Sequence, residues 1–81
     1  MDDWLLAAAE GRVMARFKFA LVGTPQMPVL DLPERDLGEL HHAIGSARFI
    51  GGRMVEIGGA AVDSIVLIPV ARIQMIMEFS E

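Results

Sequence analysis

The chain has 81 residues, a formal net charge of −4, no cysteine and a 53% hydrophobic composition with a mean hydropathy of +0.44. That length suits one small domain over residues 1–81; the missing cysteines exclude a disulfide frame and thiolate chemistry, and a single lysine, Lys18, in an acidic chain argues against a general binder of nucleic-acid backbone. The longest uncharged apolar runs, such as residues 65–71, fall far short of the roughly 20 residues a membrane-spanning helix needs, so the apolar excess has to be buried against protein, and a homo-oligomer is expected.

The first element is a short helix. Asp2 and Asp3 stand ahead of Trp4-Leu5-Leu6-Ala7-Ala8-Ala9-Glu10, and Gly11 follows: acidic residues suited to an N-terminus, good helix formers, then a stop. The same acidic start is the opposite of a basic export leader, so a cytoplasmic location is expected. From residue 12 the period changes to two, with Val13, Ala15, Phe17, Phe19 and Leu21 alternating against Arg12, Arg16 and Lys18. Alternation sustained over residues 12–22 predicts a half-buried strand. Gly23-Thr24-Pro25-Gln26 is turn chemistry, and residues 27–30 read as the returning strand of a hairpin, held to a sheet edge by Pro28.

A helix is predicted over residues 31–45. Asp31 with Glu34 resembles a capping box, Pro33 fits a first turn, and Leu37, Leu40, Ile44 and Ala47 form one apolar stripe to face a sheet. Gly45 is expected as its C-cap. Residues 48–57 return to strand, with a bulge or kink at Gly51-Gly52. Residues 58–64 read as a loop too long for a tight hairpin, and residues 65–68, Ile-Val-Leu-Ile, as a strand apolar on both faces, suited to a central or interface position. After Pro69, residues 72–79 alternate, Ile73, Met75, Met77 and Phe79 on one face and Arg72, Gln74, Ile76 and Glu78 on the other. The expected fold is therefore α+β, a small antiparallel or barrel-like sheet with one packed helix, in the order α-β-β-α-β-β(-β). In outline, and not by any motif, this layout with its VLIPVARIQMIMEF tail is similar to small oligomeric modules of phage and bacterial genomes.

Candidate chemistry concentrates in residues 41–59, HHAIGSARFIGGRMVEIGG. A phosphate-binding loop needs a strand, then G-x4-G-K-[ST], then a helix. Here Gly45 and Gly51 are one residue too far apart, Gly52-Arg53 replaces the Lys-Ser pair, and the segment leaves a helix instead of entering one. His41 and His42 are adjacent, so on a helix they diverge by about 100° and cannot chelate one metal as an i, i+4 pair would. Ser46, Ser64 and Ser80 lack a nucleophile elbow. No metal, no cofactor and no catalysis are expected.

Arginine is the more informative residue. Same-face positions of neighbouring strands lie close together, so Arg12, Arg16, Lys18, Arg48, Arg53 and Arg72 can converge into a patch, or each can be solvated or paired with Glu56, Asp63 and Glu78. Convergence favours a non-catalytic oligomer that sequesters an anionic, nucleotide-like molecule between subunits, a viral counter-defence type of sponge, with Arg48, Gly51, Gly52, Arg53, His41, Arg16 and Arg72 as the binding set. Dispersed cations with an exposed apolar patch or an open strand edge favour a protein-interaction module, an adaptor or inhibitor. The glycines beside Arg48 and Arg53 incline the sequence reading to the ligand binder.

Overall fold

The computed structural model describes residues 14–79, and the helix expected near the N-terminus lies outside them. Five strands and one helix follow in the order β1 (Ala15–Leu21), β2 (Val29–Leu32), α1 (Leu37–Ile44), β3 (Phe49–Ile57), β4 (Ala60–Pro69), a 3-10 turn (Val70–Arg72) and β5 (Ile73–Phe79). All five strands form one antiparallel sheet in the spatial order β4-β3-β2-β1-β5. The fold is α+β, as the alternation of periods two and 3.6 implied.

The connection between β4 and β5 shapes this sheet. These strands occupy its two edges, which in a flat five-stranded sheet would stand four spacings, about 19 Å, apart. Three residues of 3-10 helix rise only about 2 Å each, so the sheet curls until its edges approach at that end. Two backbone bonds hold the turn in place: Val70 N–H donates to the Arg48 carbonyl at 2.9 Å, and Val22 N–H donates to the Arg72 carbonyl at 2.8 Å. The concave side carries the core, Phe17 and Phe19 from β1, Leu30 and Leu32 from β2, Ile50 from β3 and Ile68 from β4, with Leu40 of α1 completing it. Full burial of each such side chain contributes about 1.5–3 kcal/mol.

Several boundaries differ from expectation, each for a reason of pairing. Asp31 and Leu32 belong to β2, not to a helix, because they pair with β1 and Asp31 also pairs with Arg53 of β3. The helix starts six residues later than expected. Asp36 is its N-cap, accepting from Glu39 N–H at 2.9 Å, while Glu39 Oε2 accepts from Arg35 N–H at 2.8 Å. The cap is thus made by Asp36 and Glu39 in place of Asp31 and Glu34, with the Glu39 carboxylate reaching back to the N–H one residue ahead of the N-cap. Ala47 lies beyond the helix end, so Leu40 and Ile44 alone carry the stripe inward. Far from marking an edge, Pro28 precedes a strand at the sheet's centre; its carbonyl accepts from Phe19 N–H at 3.0 Å, and its missing donor falls just outside the β2 ladder.

The expected loop over residues 58–64 is a two-residue turn. Gly58 and Gly59 have φ of +59° and +81°, Ile57 pairs with Ala60, and β4 begins at once. Positive φ at both central positions is the hairpin geometry that matches strand twist and that glycine alone adopts freely. The longer β4 is an edge strand, so residues 65–68 are neither central nor buried on both faces. In β5 a register shift opposite Ala20 and Leu21 breaks the expected alternation: Ile73 and Ile76, expected on opposite faces, both pack against the core, and Met75 is 54% exposed.

Gly51-Gly52 is no bulge. The β3–β4 register runs unbroken through both, and the irregularity falls around Val55. Gly52 is buried under β2, where a Cβ would run into the Leu32 side chain and approach the Asp31 carbonyl to 3.1 Å. Gly45 caps α1 with φ −55°, an ordinary right-handed conformation that leaves its special freedom unused. Gly52→Ala is therefore expected to destabilise the fold by about 1–3 kcal/mol through overpacking. Gly45→Ala, whose Cβ would lie 3.4 Å from the His42 carbonyl, should instead be neutral or stabilising by up to about 1 kcal/mol. Urea denaturation midpoints of the two variants check this contrast.

Candidate functional site: the sheet edges and their clefts

The sequence-predicted residues divide among three places. Arg16 and Arg53 lie on the outer face, in one row across the sheet. Asp31 stands between them, in register with Arg16 on one side and Arg53 on the other. Arg16 Nε donates to Asp31 Oδ1 at 2.9 Å, and Arg53 Nη1 lies 3.7 Å from Asp63 Oδ1 on β4. With Asp63 diagonal to Arg53, two positions from its register partner Ile65, the charges alternate in sign as Arg16, Asp31, Arg53, Asp63 across four strands. Opposite charges facing one another on a sheet attract by a few tenths of a kcal/mol to about 1 kcal/mol, and their fields cancel a short distance away, so this row offers no concentrated positive potential. Gly52 sits behind it, closed off by leucines.

Arg48 and Gly51 lie elsewhere. With Phe49, Ala47, Glu34 and Leu67 they line a cleft of about 470 Å³ where the end of α1 meets β3 and β4. The third place is the groove between α1 and β5, about 410 Å³, whose walls are Leu37, Leu40 and Ile44 on one side and Val70, Ile73 and Met75 on the other. His41 is on its rim, and Arg72, exposed in the 3-10 turn, belongs to the connection at one end of β5. His42 is exposed on the helix. Arg12 lies outside the described residues. Of the seven predicted binding residues, the structure brings Arg48 and Gly51 to one cleft, Arg16 and Arg53 to one outer row, and leaves His41, Arg72 and Gly52 apart from both.

Sequence reasoning missed Phe49 and offered Leu67 a central or interface position, of which the sheet order rules out the central one. Phe49 is 55% exposed, Ile65 60% and Leu67 67%. In register, Phe49 faces Pro69, Gly51 faces Leu67 and Arg53 faces Ile65, which places these apolar side chains along the β3–β4 margin. The signal for Leu67 was present in the both-face-apolar run; Phe49 carried none beyond its β propensity. The β4 strand has ten residues, pairs among the described residues with β3 alone, and carries one charge, Asp63. Edge strands are commonly blunted by lysine, by mid-strand proline or by inward charge; here Pro69 at the last position is the one such device.

Among the described residues no cluster of three or more His, Asp or Glu side chains is placed to hold a metal ion, and no helix is long and apolar enough to cross a membrane. No family model, no curated protein and no solved structure matches this chain.

The charged row makes a measurable statement. A double-mutant cycle on Arg16→Ala and Asp31→Ala is expected to give a coupling of about 0.2–1 kcal/mol, shrinking in 1 M salt, where the screening length falls to about 3 Å. The longer, more exposed Arg53–Asp63 pair should show coupling under about 0.5 kcal/mol in the same measurement.

Proposed function

We propose that this protein is a non-catalytic interaction module that self-assembles through the edges of its sheet. The observation that carries the reading is the β4 margin: a ten-residue edge strand with Ile65 and Leu67 well exposed beside Phe49. An edge strand presents a row of backbone donors and acceptors, and the apolar side chains make joining it favourable as well as possible. A second copy of the chain is the occupant best supported, because the hydrophobic content is high for 81 residues and the described core takes up little of it.

Magnitudes favour more than one contact per subunit. Completing the burial of three partly covered side chains contributes at most a few kcal/mol, whereas association costs an estimated 4–15 kcal/mol in lost freedom. Main-chain pairing and a further apolar surface have to supply the rest, so both edges enter the assembly, β5 as well as β4. Light scattering on the wild-type protein at micromolar concentration is expected to give a defined multiple of 8.8 kDa, and Leu67→Asp to reduce it to the monomer with an unchanged far-UV spectrum. A wild-type monomer at 100 µM would sink the reading.

A second reading, sequestration of an anionic nucleotide-like molecule between subunits, is supported by one feature: Arg48 and the Gly51 backbone share the 470 Å³ cleft with the exposed Phe49 ring. Against it, Glu34 lines the same cleft, and the cations that would reinforce Arg48 lie elsewhere. If that reading holds, a saturating cyclic dinucleotide at 100 times its Kd adds about 2.7 kcal/mol to stability, and Arg48→Ala removes the thermal shift. The self-assembly reading predicts no shift with either protein.

A further inference from the structure

We infer that the assembly is head-to-tail: the groove between α1 and β5 receives the β4 edge of a second copy, so that each subunit offers a strand on one side and a socket on the other. This inference rests on the self-association proposed above and specifies which surfaces meet. Three observations carry it. The two open edges are different strands, β4 and β5, at opposite ends of the strand order, so one subunit can engage two neighbours at once. Their shapes are complementary. β4 presents Ile65 and Leu67 as projecting side chains, more than half exposed, while β5 together with α1 presents a recess of about 410 Å³ walled by Leu37, Ile44, Val70, Ile73 and Met75. Such a recess has room for two or three aliphatic side chains.

Their charges are complementary as well. The single charged residue of β4 is Asp63, whose side chain is 80% exposed, and the basic residues around the recess are His41 on its rim and Arg72 just ahead of β5. A pairing of β4 with β4 about a two-fold axis would instead set two Asp63 residues on one interface and leave the recess empty. The socket also differs from a bare edge. Leu37 N–H donates to Glu78 Oε1 at 3.2 Å, tying the start of α1 to the far end of β5. The helix is thereby held beside β5 as a wall, and an entering strand would bond to β5 while its side chains pack under α1. Repetition of one such contact closes a ring if the rotation permits and otherwise extends a filament.

Complementation between two blocked variants decides the question. Leu67→Asp blocks the strand and leaves the socket intact; Met75→Asp, at a 54% exposed position in the groove, blocks the socket and leaves the strand. Both substitutions are at exposed sites, and far-UV and urea measurements confirm folding before assembly is read. Head-to-tail contact predicts that each variant alone is monomeric and that an equimolar mixture forms a 1:1 heterodimer by light scattering, which stops at two because its remaining surfaces are the blocked ones. The double variant Leu67→Asp/Met75→Asp, which has neither a free strand nor a free socket, should stay monomeric when mixed with either single variant. The inference is overturned if Met75→Asp assembles like wild type, or if the mixture stays monomeric; in those cases the self-association reading survives through wild-type assembly that Leu67→Asp abolishes. A monomeric wild-type protein overturns both.

Discussion

Three residues, 70–72, set the geometry of this molecule. They join strands on opposite edges of a five-stranded sheet, and chain reach alone then forbids a flat arrangement. Curling brings the inner-facing side chains of β1, β2, β3 and β4 toward a common centre, and Leu40 of α1 reaches the same cluster. Tight curvature also demands close approach between strands and the core they enclose. Gly52 meets that demand, since the Leu30 and Leu32 side chains occupy the space in which any larger residue on β3 would place its Cβ. A glycine that looked like an opening for a ligand is a place where two leucines come to rest.

The same curvature decides what is left outside. A sheet that closed fully would have no edges; this one ends in β4 and β5, joined at one end by the 3-10 turn. Local burial follows that arrangement. Residues on the inner strands are covered from both sides along the ladder, whereas β4 is mostly exposed, with Val62 and Val66 partly covered and Ile68 the one buried side chain in it. Exposed aliphatics are ordinary when scattered. Here they line one margin together with an exposed phenylalanine, which is the arrangement that marks a contact surface.

Electrostatics points the same way by subtraction. An acidic protein can still hold an anion if its few cations converge, and register prevents that here. Asp31 occupies the position between Arg16 and Arg53, and Asp63 flanks Arg53 on the next strand. Arg48 lines the cleft beside the end of α1, and Arg72 lies exposed in the 3-10 turn, outside that cleft. Exposed apolar side chains gather instead at the β3–β4 margin and in the groove between α1 and β5, the surfaces on which the proposed self-assembly rests.

Local patterning by itself determined much of this protein. The two-residue alternation of β1 placed Phe17 and Phe19 in the core, Leu40 and Ile44 marked the inward side of the helix, and the absence of cysteine and of metal-ligand spacing bounded the chemistry, because each of these depends on side-chain direction within one element or on residue type alone. Tertiary structure alone decided which of two similar acidic pairs would cap the helix. Asp31 was drawn into β2 by partners on both sides, leaving the role to Asp36. It also decided that Ile65 and Leu67 would lie at a margin and not at the centre, and that the arginines would be interleaved with aspartates. Strand order joins residues far apart in the chain, Arg16 with Phe79 across β1 and β5, and no local period encodes which strand will lie beside which; that choice follows from how the whole chain closes around its core.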